Sequence, residues 1–232
     1  LGKRRTKLGA APSDIDIPVE ATIEKEPLTV ICSQKGWVRA IRGHSADTKE
    51  LKFKDGDNLA FAQPGETTDK ILFLGSNGRF YTILADKLPR GRGHGEPIRL
   101  MIDLPNDEDV IAMMIYRPKE RVLLASDDGR GFITITDDLV AQTRNGRQVM
   151  NVSQDSKACI CVKVAGDSVA VVGTNRKLLI FPIEELPQMS RGKGVILQKY
   201  KDGKLADAKT FEYADGLSWH LKGGRQLSLI HI

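Results

Sequence analysis

From Leu28 onward, hydrophobic and polar positions alternate in short runs, and turn-forming residues break each run. About sixteen runs, among them LTVICS (28–33), KILFLG (70–75), IRLMID (98–103), QVMNVS (148–153), SVAVVG (168–173) and VILQKY (195–200), are rich in residues that pleated surfaces favour. No stretch keeps a helical period over three turns. The pattern predicts an all-β chain, because parallel crossovers would need helices between strands. The segments ADKLP (85–89), DDLVAQ (137–142) and IEELPQ (183–188) are expected to form one-turn helices or 3₁₀ corners. Residues 1–26 carry no sustained period and read as a linker, basic at Lys3, Arg4, Arg5 and Lys7 and acidic from Asp14 to Glu26.

A strand–turn–strand unit recurs as TVICSQKGWVRAI (29–41), ILFLGSNGRFYTI (71–83), LLASDDGRGFITI (123–135) and VVGTNRKLLIF (171–181). Its turns fall near Gly36, Gly78, Gly129 and Arg176, about 42, 51 and 47 residues apart, a period that points to propeller-like arrays. SNGR and SDDGR fit tight hairpins in which glycine supplies positive φ. At four strands per unit the chain holds about four units, and LSWHLKGG (217–224) begins a fifth. The expected architecture is a propeller-like array of about five four-stranded blades, the last incomplete. Packing such blades radially buries the apolar face that each would otherwise expose.

Charge changes this picture. Three units continue into a loop rich in Arg, Lys and Gly: PRGRGHG (89–95), TRNGR (143–147) and SRGKG (190–194). The net charge of +5 and the pI near 9.1 are modest, so placement matters more than total. Acids cluster at 14–26 and 103–109 while the recurring loops are basic, a segregation that favours a polyanionic partner. Arginine offers a planar fork for phosphate oxygens, lysine a mobile point charge, and neighbouring glycines let the backbone approach. The candidate phosphate-binding residues are therefore Arg90, Arg92, His94, Arg144, Arg147, Arg191 and Lys193, with Arg39, Arg42 and His44 on the first unit's equivalent surface. Lys35, Arg79, Arg130 and Lys222 sit at hairpin turns and rank lower, and for Arg79 and Arg130 a plain solvated turn is the better reading.

Several other chemistries fit poorly. Gly91-x-Gly93-x-Gly95 lacks the spacing and the βαβ context of a dinucleotide site, and SRGKGV lacks the spacing and the Ser/Thr of a P-loop. Neither a nucleophile elbow nor a zinc-protease motif occurs. Cys159 and Cys161 are expected on one strand face in the core, and with Cys32 suggest reduced, buried thiols in a cytoplasmic protein. The four histidines have no metal spacing, and Trp37 and Trp219 read as blade packing. No apolar run approaches a membrane span, and no signal peptide opens the chain. The start at Leu1 suggests a piece of a longer protein.

The segments KGWVRAIRGH (35–44), LPRGRGHGEP (88–97), ASDDGRGF (125–132), DLVAQTRNGR (138–147) and FPIEELPQMSRGKG (181–194) carry a resemblance. From about Glu26 to Arg225 the chain resembles the C-terminal domain family of the DNA topoisomerase IV A subunit and, more distantly, of the gyrase A subunit. The resemblance implies a β-pinwheel at 27–226 whose blades exchange strands and whose perimeter binds and bends duplex DNA. The gyrase box has no counterpart in IRGHSAD (41–47), which favours the topoisomerase IV type and a weaker bend over chiral wrapping. The resemblance also implies a nucleoid-associated cytoplasmic enzyme. In that enzyme the A subunit carries a cleavage core and works with an ATPase B subunit, using ATP and magnesium, to unlink chromosomes and relax supercoils. This chain is expected to hold no cofactor and no catalytic tyrosine, because Tyr81, Tyr116, Tyr200 and Tyr213 follow Phe, Ile, Lys and Glu where the family's nucleophile follows Arg. Leu227–Ile232 looks foreign to the family. The competing readings are a gyrase-type wrapping domain and a WD40- or kelch-like protein scaffold; the latter lacks a recurring Trp-Asp or glycine pair.

Overall fold

Period-two patterning becomes hairpins, and the hairpins become blades. A computed structural model describes residues 23–44, 51–91, 93–220 and 226–229. The first unit contains β1 (Pro27–Ser33), β2 (Trp37–Arg42) and β3 (Leu59–Glu66). The second contains β4 (Lys70–Gly75), β5 (Arg79–Leu84), β6 (Glu96–Pro97) and β7 (Val110–Ile115). The third follows the same plan with β8 (Arg121–Ser126), β9 (Arg130–Ile135), β10 (Arg147–Gln148) and β11 (Ala158–Lys163). So does the fourth, with β12 (Ser168–Gly173), β13 (Leu178–Pro182), β14 (Val195–Ile196) and β15 (Leu205–Phe211). β16 (Leu217–His220) and β17 (Gln226–Leu229) form a further hairpin.

The sheets do not coincide with the units. Their strand orders are β3-β1-β2-β6, β7-β4-β5-β10, β11-β8-β9-β14 and β15-β12-β13. In units two to four the short third strand therefore leaves its own hairpin and pairs with the second hairpin strand of the preceding blade. This is the strand exchange that the family resemblance implied, in an all-β array that holds, among the described residues, three four-stranded antiparallel sheets, one three-stranded sheet and a two-stranded hairpin.

Each donated strand is followed by an apolar residue that plunges between blades. Ile98 joins the core between the first and second blades, Val149 and Met150 the next, and Leu197 the core between the third and fourth. Their backbone N–H groups are fixed at the hairpin turns: Ile98 donates to the Gly36 carbonyl (2.8 Å), Val149 to Gly78 (3.2 Å) and Leu197 to Gly129 (2.8 Å). This inward turn explains why IRLMID, QVMNVS and VILQKY are not full strands. Only the pairs Glu96–Pro97, Arg147–Gln148 and Val195–Ile196, lying just before or at the start of these segments, extend the ladder, and Ile98–Leu100 is a 3₁₀ turn. The glycine opening each donor is a steric necessity. Gly194 has φ +75°, and a Cβ there would lie 2.3 Å from the Gly131 carbonyl oxygen.

The 3₁₀ corners fall at Ala85–Lys87, Thr136–Asp138 and Ile183–Glu185, inside or at the edge of the three expected segments. Two expectations change. A β-bulge between Ala158 and Ile160 breaks the alternation of β11, so Cys159 packs on the core between blades three and four while Cys161 packs on the core between two and three. The last residues read as linker also lie on the first blade. The Thr67 hydroxyl donates to the Glu24 carbonyl (2.5 Å) and accepts from the Glu26 N–H (3.1 Å). Residues 227–229, part of the segment that looked foreign, pair with β16.

Candidate nucleic-acid interface

The three basic loops occupy one structural position, the link between a 3₁₀ corner and a donated strand. Each is tied to the blade it reaches. In the first, the Ala40 N–H donates to the Pro89 carbonyl (2.9 Å) and the Gly91 N–H to Ala40 (3.3 Å). In the second, the Ala141 N–H donates to the Thr82 hydroxyl (2.9 Å) and the Arg79 guanidinium to the Asn145 carbonyl (2.9 Å). In the third, the Met189 N–H donates to Ile133 (2.8 Å) and Arg130 to the Gly194 carbonyl (3.5 Å). Arg79 and Arg130 thus do more than solvate a turn; they hold the basic loops. Their guanidinium reach across 66 and 64 residues of chain is the part that local sequence reading missed.

The loops are also joined in series. Arg144 donates through Nη2 to the Leu100 carbonyl (2.8 Å), and the Asp103 N–H donates to the Arg144 carbonyl (2.9 Å). One unit further, the Asn151 N–H donates to Gly192 (2.8 Å) and the Gly192 N–H to Val149 (2.9 Å). A continuous backbone path therefore links residues 100–103 to the second loop and residues 149–151 to the third.

The cations on this path are not equally available. Arg42 lies 3.4 Å and Arg90 3.1 Å from the Glu26 carboxylate, and Arg90 also meets Asp86 at 2.5 Å. Arg144 lies 3.7 Å from Asp103 and Arg147 3.6 Å from Asp138. Exposed pairs of this kind contribute on the order of 0–1 kcal/mol and exchange partners readily. Arg191 and Lys193 are exposed and form no ion pair among the described residues, and the same holds for Arg176 and Lys177 at the β12–β13 turn. His94 is exposed, and His44 is exposed with its Nε2 3.1 Å from the Gly65 carbonyl. Arg92 lies outside the described residues, as does Lys222.

Arg39 is the correction. It is 2% exposed, its Nη2 donates to the Lys52 carbonyl (3.0 Å), and its guanidinium stands 5.5 Å from the centre of the Phe53 ring. Burial pushes its pKa down, and Nε and Nη1 have no partner among the described residues. Alternation correctly turns Arg39 away from Val38 and Ala40, but the segment around Lys52 and Phe53 covers that face, so the side chain does not reach a surface phosphate.

The thiols sit on packed strands, where burial disfavours the thiolate. Burial pushes Cys32, Cys159 and Cys161 up to about 12, assisted at Cys32 by Asp57 and at Cys159 by nearby carboxylates. Among the described residues no His, Cys, Asp and Glu group of three or more is arranged to hold a metal. No helix there is long and apolar enough to cross a membrane.

Comparison with known proteins places this geometry. The DNA gyrase C-terminal β-propeller family matches over residues 69–117, 120–157 and 167–211. The A subunit of DNA topoisomerase 4 from Rickettsia bellii (strain RML369-C) is 45% identical over 224 residues, covering 96% of this chain and 30% of the relative. Its counterpart from Caulobacter vibrioides is 46% identical over 223 residues, covering 96% of this chain and 29% of the relative. The chain thus spans less than a third of the length of the curated relatives it matches. Among solved structures, the C-terminal domain of Escherichia coli ParC superposes with a TM-score of 0.77 at 32% identity, covering 88% of this chain and 86% of that one. A gyrase A C-terminal domain, at 16% identity and a TM-score of 0.58, shares the fold.

Proposed function

Because the chain belongs to the family of C-terminal β-propeller domains found in the A subunits of gyrase and topoisomerase IV, we propose that it binds duplex DNA without reading sequence and bends it along the linked loops. The observation that carries this reading is the recurrence of exposed Arg and Lys on three loops at one structural position, joined by backbone hydrogen bonds. Phosphate contacts of this kind fix a duplex in register and supply most of the affinity of sequence-independent binding. Smooth bending of a 20–30 bp site costs about 1–6 kcal/mol, which contacts spread over several blades can offset.

In this reading the domain serves a larger enzyme. It would deliver and bend DNA beside the cleavage core in the rest of the A subunit, while the ATPase B subunit supplies ATP hydrolysis with magnesium. The heterotetramer would then unlink chromosomes and relax supercoils on the cytoplasmic nucleoid. The chain itself contributes binding, with no cofactor and no bond cleavage. The bend is expected to be weaker than gyrase wrapping, since IRGHSAD (41–47) stands where the gyrase box would be.

The test is a duplex of about 30 bp carrying a fluorophore at each end. Addition of the chain should raise energy transfer between the ends, and unrelated sequences should compete equally. Binding without any change in end-to-end distance would remove bending from the account. Strong preference for one sequence would contradict phosphate-based recognition.

A further inference from the structure

Two arginines of the first blade's surface converge on one carboxylate, and that carboxylate precedes the blade. Arg42 Nη2 lies 3.4 Å from Glu26 Oε1, and Arg90 Nη1 lies 3.1 Å from Oε2. The two cations come from different units: Arg42 ends β2, and Arg90 lies in the loop that leads to β6. Their side chains are 87% and 49% exposed, whereas that of Glu26 is 29% exposed. The acid is thus the covered member of the group, and the cations are the open ones. One guanidinium on each oxygen of a single anion is also a way to hold a phosphate.

Backbone hydrogen bonds seat Glu26 in this position. The Thr67 hydroxyl accepts from the Glu26 N–H (3.1 Å) and donates to the Glu24 carbonyl (2.5 Å), and the Thr67 N–H donates to the Glu26 carbonyl (3.0 Å). The Thr67 carbonyl in turn accepts from the Asp86 N–H (3.0 Å), and Asp86 is the second acid on Arg90. Thr67 is 1% exposed, so it positions both carboxylates from inside the blade. On the other side, the Gly43 N–H donates to the Pro27 carbonyl (2.8 Å), which ties the residue after Arg42 to the residue after Glu26.

We propose that Arg42 and Arg90 form a phosphate site which the chain keeps shut with its own Glu26, so that the segment leading into β1 sets how firmly the first blade grips a duplex. This regulation rests on the duplex binding proposed above. Asp86, Asp103 and Asp138, the other acids on the loop arginines, lie between strands of the array, so their backbone is fixed with the blades. Glu26 precedes β1. A shift at Glu24–Glu26 would vacate both arginines at once and leave the sheet β3-β1-β2-β6 in place. The third loop carries no such acid among the described residues, where Arg191 and Lys193 form no ion pair. The first site is therefore conditional and the third permanent. Exposed ion pairs are weak, so the gate modulates affinity and does not abolish it.

The test measures duplex affinity against salt for the full 232-residue chain and its variants. Glu26→Gln should raise affinity about two- to fivefold at low salt and steepen the salt slope by roughly one phosphate contact. Thr67→Val changes no charge, yet it should raise affinity in the same direction by loosening the seat of Glu26. Arg42→Ala/Arg90→Ala should lose more affinity in the Glu26→Gln background than in the unaltered chain, because only there is the pair free to meet phosphate. This cycle involves no buried substitution, so it decides the matter even if Thr67→Val fails to fold. An equal loss in both backgrounds would reduce Glu26 to bulk charge and overturn the gate. If no variant binds duplex, the proposed function falls and the gate with it; if Glu26→Gln binds like the unaltered chain, the gate alone falls.

Discussion

A methyl group at position 194 would sit 2.3 Å from the Gly131 carbonyl oxygen and 2.9 Å from Phe132 Cδ1, in a backbone conformation that L side chains rarely adopt. Gly194→Ala should therefore cost roughly 1–3 kcal/mol, read as a lower urea midpoint; an unchanged midpoint would mean the exchanged strand contributes little to stability. Arg39 poses the opposite case. Its buried guanidinium has no partner at two nitrogens among the described residues, and the matching positions in the next two blades carry Tyr81 and Phe132, both buried. Replacing an undersatisfied buried charge by an apolar side chain of similar length is often neutral or stabilising. Arg39→Met should keep or raise the melting temperature and leave duplex affinity within about twofold. A large loss of affinity would restore Arg39 to the interface. Both cases mark the limit of local reading. The alternation Trp37-Val38-Arg39-Ala40 gives the side on which Arg39 lies, but what covers that side is 13 residues away in the chain.

Hairpins were legible because their two strands and their turn glycine lie within one short window, so period and turn chemistry agree. The donated strands were not, because two residues give no period and their partners lie in another unit. The same distance hid the ties that lock neighbouring elements. Asp127, at the β8–β9 turn, accepts from the Ser156 hydroxyl (2.5 Å) and the Lys157 N–H (3.0 Å) before β11 and pairs with Lys204 before β15. Partial burial alone would raise its pKa, but the hydrogen bonds from Lys204, Ser156 and the Lys157 backbone outweigh burial and hold it below the usual 3.8. A depressed carboxylate contributes stability that is present above its unfolded pKa and is lost as pH falls through the folded value. The melting temperature should thus drop as pH falls below about 4, and Asp127→Asn should melt lower at pH 7 with a shallower acid limb. Equal acid limbs in both proteins would assign the loss to other carboxylates.

Across the whole molecule, the grip is uneven. Acidic groups occupy the arginines of the first two loops: Glu26 and Asp86 at Arg90, Asp103 at Arg144 and Asp138 at Arg147. A phosphate there must displace a carboxylate, whereas Arg191 and Lys193 stand ready on the third loop. The chemistry of the loops was readable from composition and recurrence, but this ranking was not, since Glu26 meets Arg90 across 64 residues. The measurement that bears most directly on the account is a salt titration of duplex binding by the chain and by Arg191→Ala/Lys193→Ala. The logarithm of affinity should fall linearly with the logarithm of salt, with a slope of about −0.9 per phosphate contact, and the double substitution should flatten that slope by roughly two contacts. Failure to bind duplex at low salt, or affinity that ignores salt, would contradict it.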